Sequence, residues 1–300
     1  MKKLILATAI ATITASGAAS AANIYEKDDL TVRLNGDFQV QLLDPVGEGN
    51  DTDLDYDDLE LSIGADYKLN DRITAFGNLT LDYKNQVNDE GDDNVVDQAY
   101  IGLKVGGVRG SIGRQYWASD DFGVEKAIEL DGGTAFNTTG GDDTLRFDAD
   151  MGRYSASLSY DFDGEGDDAS VVDVAVSTNI GRAKVGLNYQ DYSGGLGEAD
   201  DETYGVLASV DVGRANVGID YSQNETAEYT NVSVGFPVAR KTSAAVGMTF
   251  EAPEGGNNDI NHWYANATHK LNSNVSVFAE IGDNDDAEDL GALAGMRVQF

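Results

Sequence analysis

Cysteine is absent from the 300 residues, which removes disulfide frameworks and thiolate metal sites from consideration. Bases are scarce: 20 Lys and Arg stand against 53 Asp and Glu, a formal charge of −33. Binding a phosphate backbone needs a basic footprint, so nucleic acid is excluded as a partner. Only two histidines occur, His262 and His269. No clustered nucleophile accompanies them, so no catalytic site and no enzyme are expected. Proline appears three times, beside 35 Gly and 14 Tyr, a balance that suits β-structure with tight turns rather than disorder. Long apolar runs are missing too, with one exception.

The exception is Leu4 to about Ile13, which follows Met-Lys-Lys and precedes Ala19-Ser20-Ala21. A basic start, a short apolar run and an A-x-A site predict a secretory signal peptide over 1–21. The run is too short to span a bilayer as a helix. Cleavage after Ala21 would leave 22–300 as one domain and, with Lys2 and Lys3 gone, take −33 to −35.

What fills the remainder is alternation with period two. Val32, Leu34, Phe38, Val40 and Leu42 fall on one face of the first segment, and Arg33, Asn35, Asp37, Gln39 and Gln41 on the other. Sixteen such segments are predicted, from 30–43 to 290–300, and their connections alternate in kind. One set is very short, such as Asn70-Asp71, Gly106-Gly107 and Gly213. The other is longer and acidic, at 44–55, 85–93, 116–142, 163–168, 193–201, 223–227, 251–259 and 283–289. Strands of about ten residues with turns on one side and loops on the other predict a 16-stranded antiparallel transmembrane β-barrel. The polar faces are too polar for a core, as Ser155, Ser157, Ser159 and Asp161 illustrate, and sixteen strands leave an aqueous channel. The apolar faces would meet lipid, with Tyr67, Tyr83, Tyr160, Tyr189 and Tyr221 as interfacial girdles. A repeated phrase supports the count: Asn179 to Tyr189 and Asp211 to Tyr221 are nearly identical, each a turn, an Arg and an apolar stripe. Arg182 and Arg214 in these repeats, and Arg153 in the looser copy Asp150 to Tyr160, are read as interface anchors beside the turns.

The longest break in the alternation is Tyr116 to Asp143. It carries Asp120, Asp121, Glu125, Glu129 and Asp131, with Lys126 as its one base. A long loop in a compact β-protein is functional or disordered. In a wide barrel such a third long loop can fold into the lumen, and an acidic constriction favours cations.

Several stretches carry a family resemblance. Ala22-Asn-Ile-Tyr-Glu-Lys-Asp28, Val-Arg-Leu-Asn-Gly36, Ala99-Tyr-Ile-Gly-Leu-Lys104, Gly-Arg-Gln-Tyr116 and the terminal Phe300 together resemble the general trimeric porins of Gram-negative outer membranes. The resemblance implies a homotrimer whose third loop folds inward, its acids facing a basic cluster on the wall. Asp121-Phe122-Gly123 stands where the family has Glu-Phe-Gly, which makes Asp121 the first constriction acid. The family's wall bases fall on Asp37 and Asp97, leaving Arg33, Arg114 and Arg146 as the bases of the lumen wall. The resemblance therefore implies an outer-membrane diffusion channel for small hydrophilic solutes and ions, cation-selective where acids replace bases.

Other readings are weaker. A substrate-specific channel would want a lengthwise track of inward aromatics, whereas Phe76, Tyr264 and Phe278 are scattered. A structural or adhesive surface barrel would want larger loops. The Asp-rich runs 50–58 and 161–168 invite calcium, but Val172 stands where an EF-hand loop needs Glu. No cofactor is expected beyond weak association of divalent cations with acidic loops and lipopolysaccharide phosphates.

Overall fold

A computed structural model describes residues 22–47, 51–88, 94–164, 169–193, 201–255 and 258–300. The leader expected at 1–21 lies outside the described residues. Alternating sequence becomes alternating strand: β1 (Ala22–Lys27), β2 (Leu30–Asp44), β3 (Asp53–Lys68), β4 (Ile73–Asp82), β5 (Val96–Val105), β6 (Val108–Tyr116), β7 (Gly140–Asp150), β8 (Tyr154–Gly164), β9 (Ala169–Ile180), β10 (Ala183–Ser193), β11 (Asp201–Val212), β12 (Ala215–Gln223), β13 (Ala227–Ala239), β14 (Thr242–Pro253), β15 (Ile260–Lys270), β16 (Val275–Asn284) and β17 (Gly291–Gln299). From β2 onward each strand pairs antiparallel with its neighbours, and β17 pairs back on β2. Sixteen strands thus close a barrel, and closure leaves no unpaired edge for a membrane to meet. All sixteen predicted segments coincide with these strands, their ends shifting by up to three residues. The connection expected at 44–55 is shorter than predicted. β3 already begins at Asp53 and takes a bulge between Asp55 and Asp58.

The barrel is inside-out relative to a water-soluble protein. Leu42 is 54% exposed beside Gln41 at 1%, and Leu187 is 56% exposed beside Asn188 at 8%. The predicted apolar stripes therefore face outward and the polar ones inward, the arrangement a lipid-embedded barrel requires. Tyr67 and Tyr154 stand near the short-turn rim, and Tyr160 and Tyr189 near the long-loop rim, all exposed.

β1 is the one strand the periodicity does not predict. It folds back on β2 through Asp28, whose φ of 53° lies in the left-handed region that Asp tolerates. β1 covers β2 from Leu30 to Leu34, and β17 covers it from Asp37 to Asp44. Between them Gly36 and Phe300 exchange backbone hydrogen bonds of 2.9 and 3.0 Å. The Phe300 ring lies over Gly36, where any Cβ would come within 2.3 Å of it, and meets Phe38 edge-on at 5.8 Å. β1 and the residues that follow β17 therefore share one seam along β2.

Candidate functional site

The segment 117–139 has no alternation to make it a strand, yet it is well buried. Its backbone polar groups need partners, since an unpaired buried amide or carbonyl is costly. Side chains on the polar inner face of the wall supply them. At the entrance, Arg146 donates to the carbonyls of Tyr116 and Trp117 at 2.9 Å each, and the Trp117 indole donates to Thr144 at 2.9 Å. Ser119 donates to the Asp173 carboxylate, which also accepts from Gln190 at 3.0 Å. Further along, Asp220 accepts from the Val124 amide at 2.7 Å and from Asn231 at 3.0 Å. The Tyr264 hydroxyl accepts from the Lys126 amide at 2.6 Å. Glu280 does most: its two oxygens accept from the amides of Ile128, Glu129 and Leu130 at 2.7, 2.8 and 2.7 Å, and from Asn266 at 2.8 Å.

Apolar contacts complete the anchoring. Phe122, Val124 and Phe136 pack with Leu207, and Leu130 packs with Phe278 and Leu293. Burial of each such side chain contributes about 1.5–3 kcal/mol. The wall makes room with small residues: a Cβ on Gly205 would come within 2.5 Å of Phe122, and one on Gly218 within 2.6 Å of Val124. Asp173, Asp220 and Glu280 thus engage the segment, which brings five acids of its own.

Those acids fall into two kinds. Asp120 and Asp121 are exposed, and Asp120 accepts from Thr139 at 2.8 Å. Glu125 and Asp131 are half-buried. One Glu125 oxygen is buried without a hydrogen-bond partner, and burial pushes its carboxyl up to about 7. Burial, then the neighbouring Glu280 carboxylate, raises Asp131. Glu129 lies across from β3. Desolvation, then the Asp57 carboxylate, raises its carboxyl above the ordinary range. Gln39 and Gln41 hold Asp57 and Asp55 in place at 2.5 and 3.0 Å.

The wall residues are mostly engaged. Arg33 pairs with Asp66 at 2.6 Å, close to the short-turn rim. Asp37 is matched by Arg297, which grips both its oxygens at 2.7 and 2.6 Å and reaches Asp58 at 3.0 Å. Arg297 was not among the expected site residues, although it sits on the polar parity of the last strand. Asp97 accepts from the Tyr116 hydroxyl at 2.7 Å. Arg114 shares the parity of exposed Ile112, pairs with Asp142 and donates to the Asp97 carbonyl at 3.0 Å. Arg146 pairs with Asp148 at 2.9 Å and holds the segment's start. Of the histidines, His269 is exposed on the outward parity of β15. His262, near the start of β15, faces inward, 3.1 Å from Glu251, with its ring against Gly132 of the segment. Tyr264 and Phe278 are buried beneath the segment, so they support it rather than line a track. Among the described residues no group of three or more His, Asp or Glu is placed to hold a metal ion.

The family described as Gram-negative porin matches residues 7–289. The chain is 29% identical over 336 residues to porin-like protein H of Photobacterium profundum, covering all of both chains. OmpT of Vibrio cholerae, an outer membrane protein solved in a trimer form, superposes with a TM-score of 0.76 at 19% identity, covering 91% of this chain and all of that one. An anion-selective porin from Comamonas acidovorans superposes with a TM-score of 0.76 at 12% identity, covering 90% of this chain and all of that one.

Proposed function

The chain belongs to the Gram-negative porin family, and on that premise we propose that it is an outer-membrane diffusion pore for small hydrophilic solutes, with a preference for cations. The segment 117–139 is the element that narrows the lumen. Its acids Asp120, Asp121, Glu125, Glu129 and Asp131 form one side of the constriction. The observation that carries the preference is an excess of acid on both sides: Glu129 stands against Asp57 and Asp55 of β3, while of the two bases beside them Arg297 is taken by Asp37 and Asp58 and Lys84 is shared among Asp57, Asp82, Asp58 and Glu129. Carboxylates facing a narrow aqueous path raise the local cation concentration and select cations. The anchoring of the segment by Glu280, Asp220 and Asp173 supports a fixed rather than a swinging constriction. The trimer form of the Vibrio cholerae relative supports the same assembly here. Weak attraction of divalent cations to the acidic loops is a further expectation of this reading.

The zero-current potential of the purified barrel in a planar bilayer, under a KCl gradient, tests the preference. Cation selectivity in the wild type, reduced about twofold to tenfold in the permeability ratio by Glu129→Gln with Asp57→Asn, is expected. Anion selectivity of the wild type sinks the acidic constriction and gives the role to the inward bases Arg146 and Arg297.

A further inference from the structure

The few bases of this acidic chain are not spread evenly along the barrel axis. Every short turn between β3 and β16 carries a Lys or Arg within it or within two residues of it, from Lys68 and Arg72 at the first to Lys270 at the last. The eight connections on the opposite rim carry only Lys84 and Lys126. Acids show the reverse bias, crowding the long-loop half and the segment 117–139.

Several of these bases face the water path rather than the membrane. Lys184 shares its parity with buried Asn188 and Gln190, and Lys270 shares its parity with buried Tyr264. Beneath residues 125–128 lies a cavity of about 530 Å³, lined by Lys126, Arg214, Lys270 and Arg297 together with Asp57, Glu125 and Asp211. A neighbouring cavity of about 400 Å³ sets Arg182 and Lys184 across from Asp120, Asp121 and Glu125. Among the described residues, Arg182, Lys184, Arg214 and Lys270 make no ion pair. Their charge is left to act on mobile ions.

We propose that this pore is bipolar along its axis: an acid-lined half on the long-loop side joined in series to an anion-attracting vestibule at the short-turn side. The inference rests on the open-pore reading above. Fixed acids enrich cations and fixed bases enrich anions in the water beside them. A voltage positive on the long-loop side drives both enriched ions toward the junction and fills it. The opposite voltage draws both away and depletes it. The current must therefore rectify, and the larger current flows with the long-loop side positive. The effect needs charge fields that reach across the path, so it belongs to dilute salt. The screening length is about 10 Å at 0.1 M and about 3 Å at 1 M.

The test is the current–voltage curve of channels inserted from one side of a bilayer in symmetric KCl at 0.1 M and at 1 M. We expect unequal currents at ±100 mV in dilute salt, near-equal currents at 1 M, and loss of the asymmetry at 0.1 M in a combined Lys184→Gln, Arg214→Gln, Lys270→Gln variant that still conducts. Open but symmetric wild-type channels at 0.1 M overturn the proposal while leaving the pore intact. Asymmetry unchanged in the triple variant overturns it too, and assigns those bases to lipid phosphates at the rim. Folded protein with no conductance sinks the pore reading itself.

Discussion

In the proposed constriction, the ionisation of Glu125 helps to set how much charge the ion path meets. Burial pushes its carboxyl up to about 7, well above the 4.5 of a free glutamate. A carboxyl raised in this way is neutral below that value and gains its negative charge as pH rises through it. Cation preference should therefore climb between about pH 6 and pH 8, one unit either side of the midpoint. Zero-current potentials measured across that window check this, and Glu125→Gln should remove the part of the rise that Glu129, also raised, does not supply. A flat profile in the wild type would mean that Glu125 lies off the ion path. At the same scale, Glu280 is the wall residue on which the segment depends most. Glu280→Ala strips three amides of their acceptor, and each buried amide left unpaired costs about 1–3 kcal/mol. Hydrogen exchange at Ile128, Glu129 and Leu130 should then speed up at least tenfold, the equivalent of about 1.4 kcal/mol, while the β-strand amides keep their protection. Unchanged exchange would show that the apolar clusters alone hold the segment.

Among the elements, strands and segment differ in how far the sequence reveals them. Sixteen strands were legible because lipid on one side and water on the other impose period two on every one of them. β1 escaped because Ala22–Lys27 has no apolar stripe to display; all six of its residues are exposed. The acids of 117–139 were visible as a run, but their anchors were not. Asp220, Tyr264 and Glu280 lie 96, 138 and 152 residues from the amides they receive, and nothing local marks them. A weak signal did exist in the inward glycines Gly205 and Gly218, which leave space that only a packed segment fills. Arg297 and His262 were readable from parity alone, since both stand on the polar face of their strands. Parity does not name partners, and their roles come from Asp37 and Glu251.

For the whole molecule, the barrel depends on one seam. Gly36→Leu would drive a side chain into the space of the Phe300 ring, and overpacking of this kind costs about 1–3 kcal/mol. Thermal unfolding of the detergent-solubilised barrel, followed by circular dichroism, should move to lower temperature in that variant. Phe300→Ala in the same background should recover part of the loss. No shift in Gly36→Leu would mean that the ring is free to leave.

The same seam bears on when the chain can finish folding. Arg297 grips Asp37 across 260 residues, and Phe300 reaches Gly36 across slightly more. Closing so long a loop in one step has an entropic cost on the order of 5 kcal/mol, so growth hairpin by hairpin is the cheaper route. Until the last ten residues exist, β2 presents bare amides and carbonyls from Asp37 to Asp44. That open flank belongs to the first strand of the closed barrel and its mate to the last. Until the two strands meet, the assembling barrel is a sheet with two sticky borders, and its safety against sister chains rests on whatever keeps those borders apart.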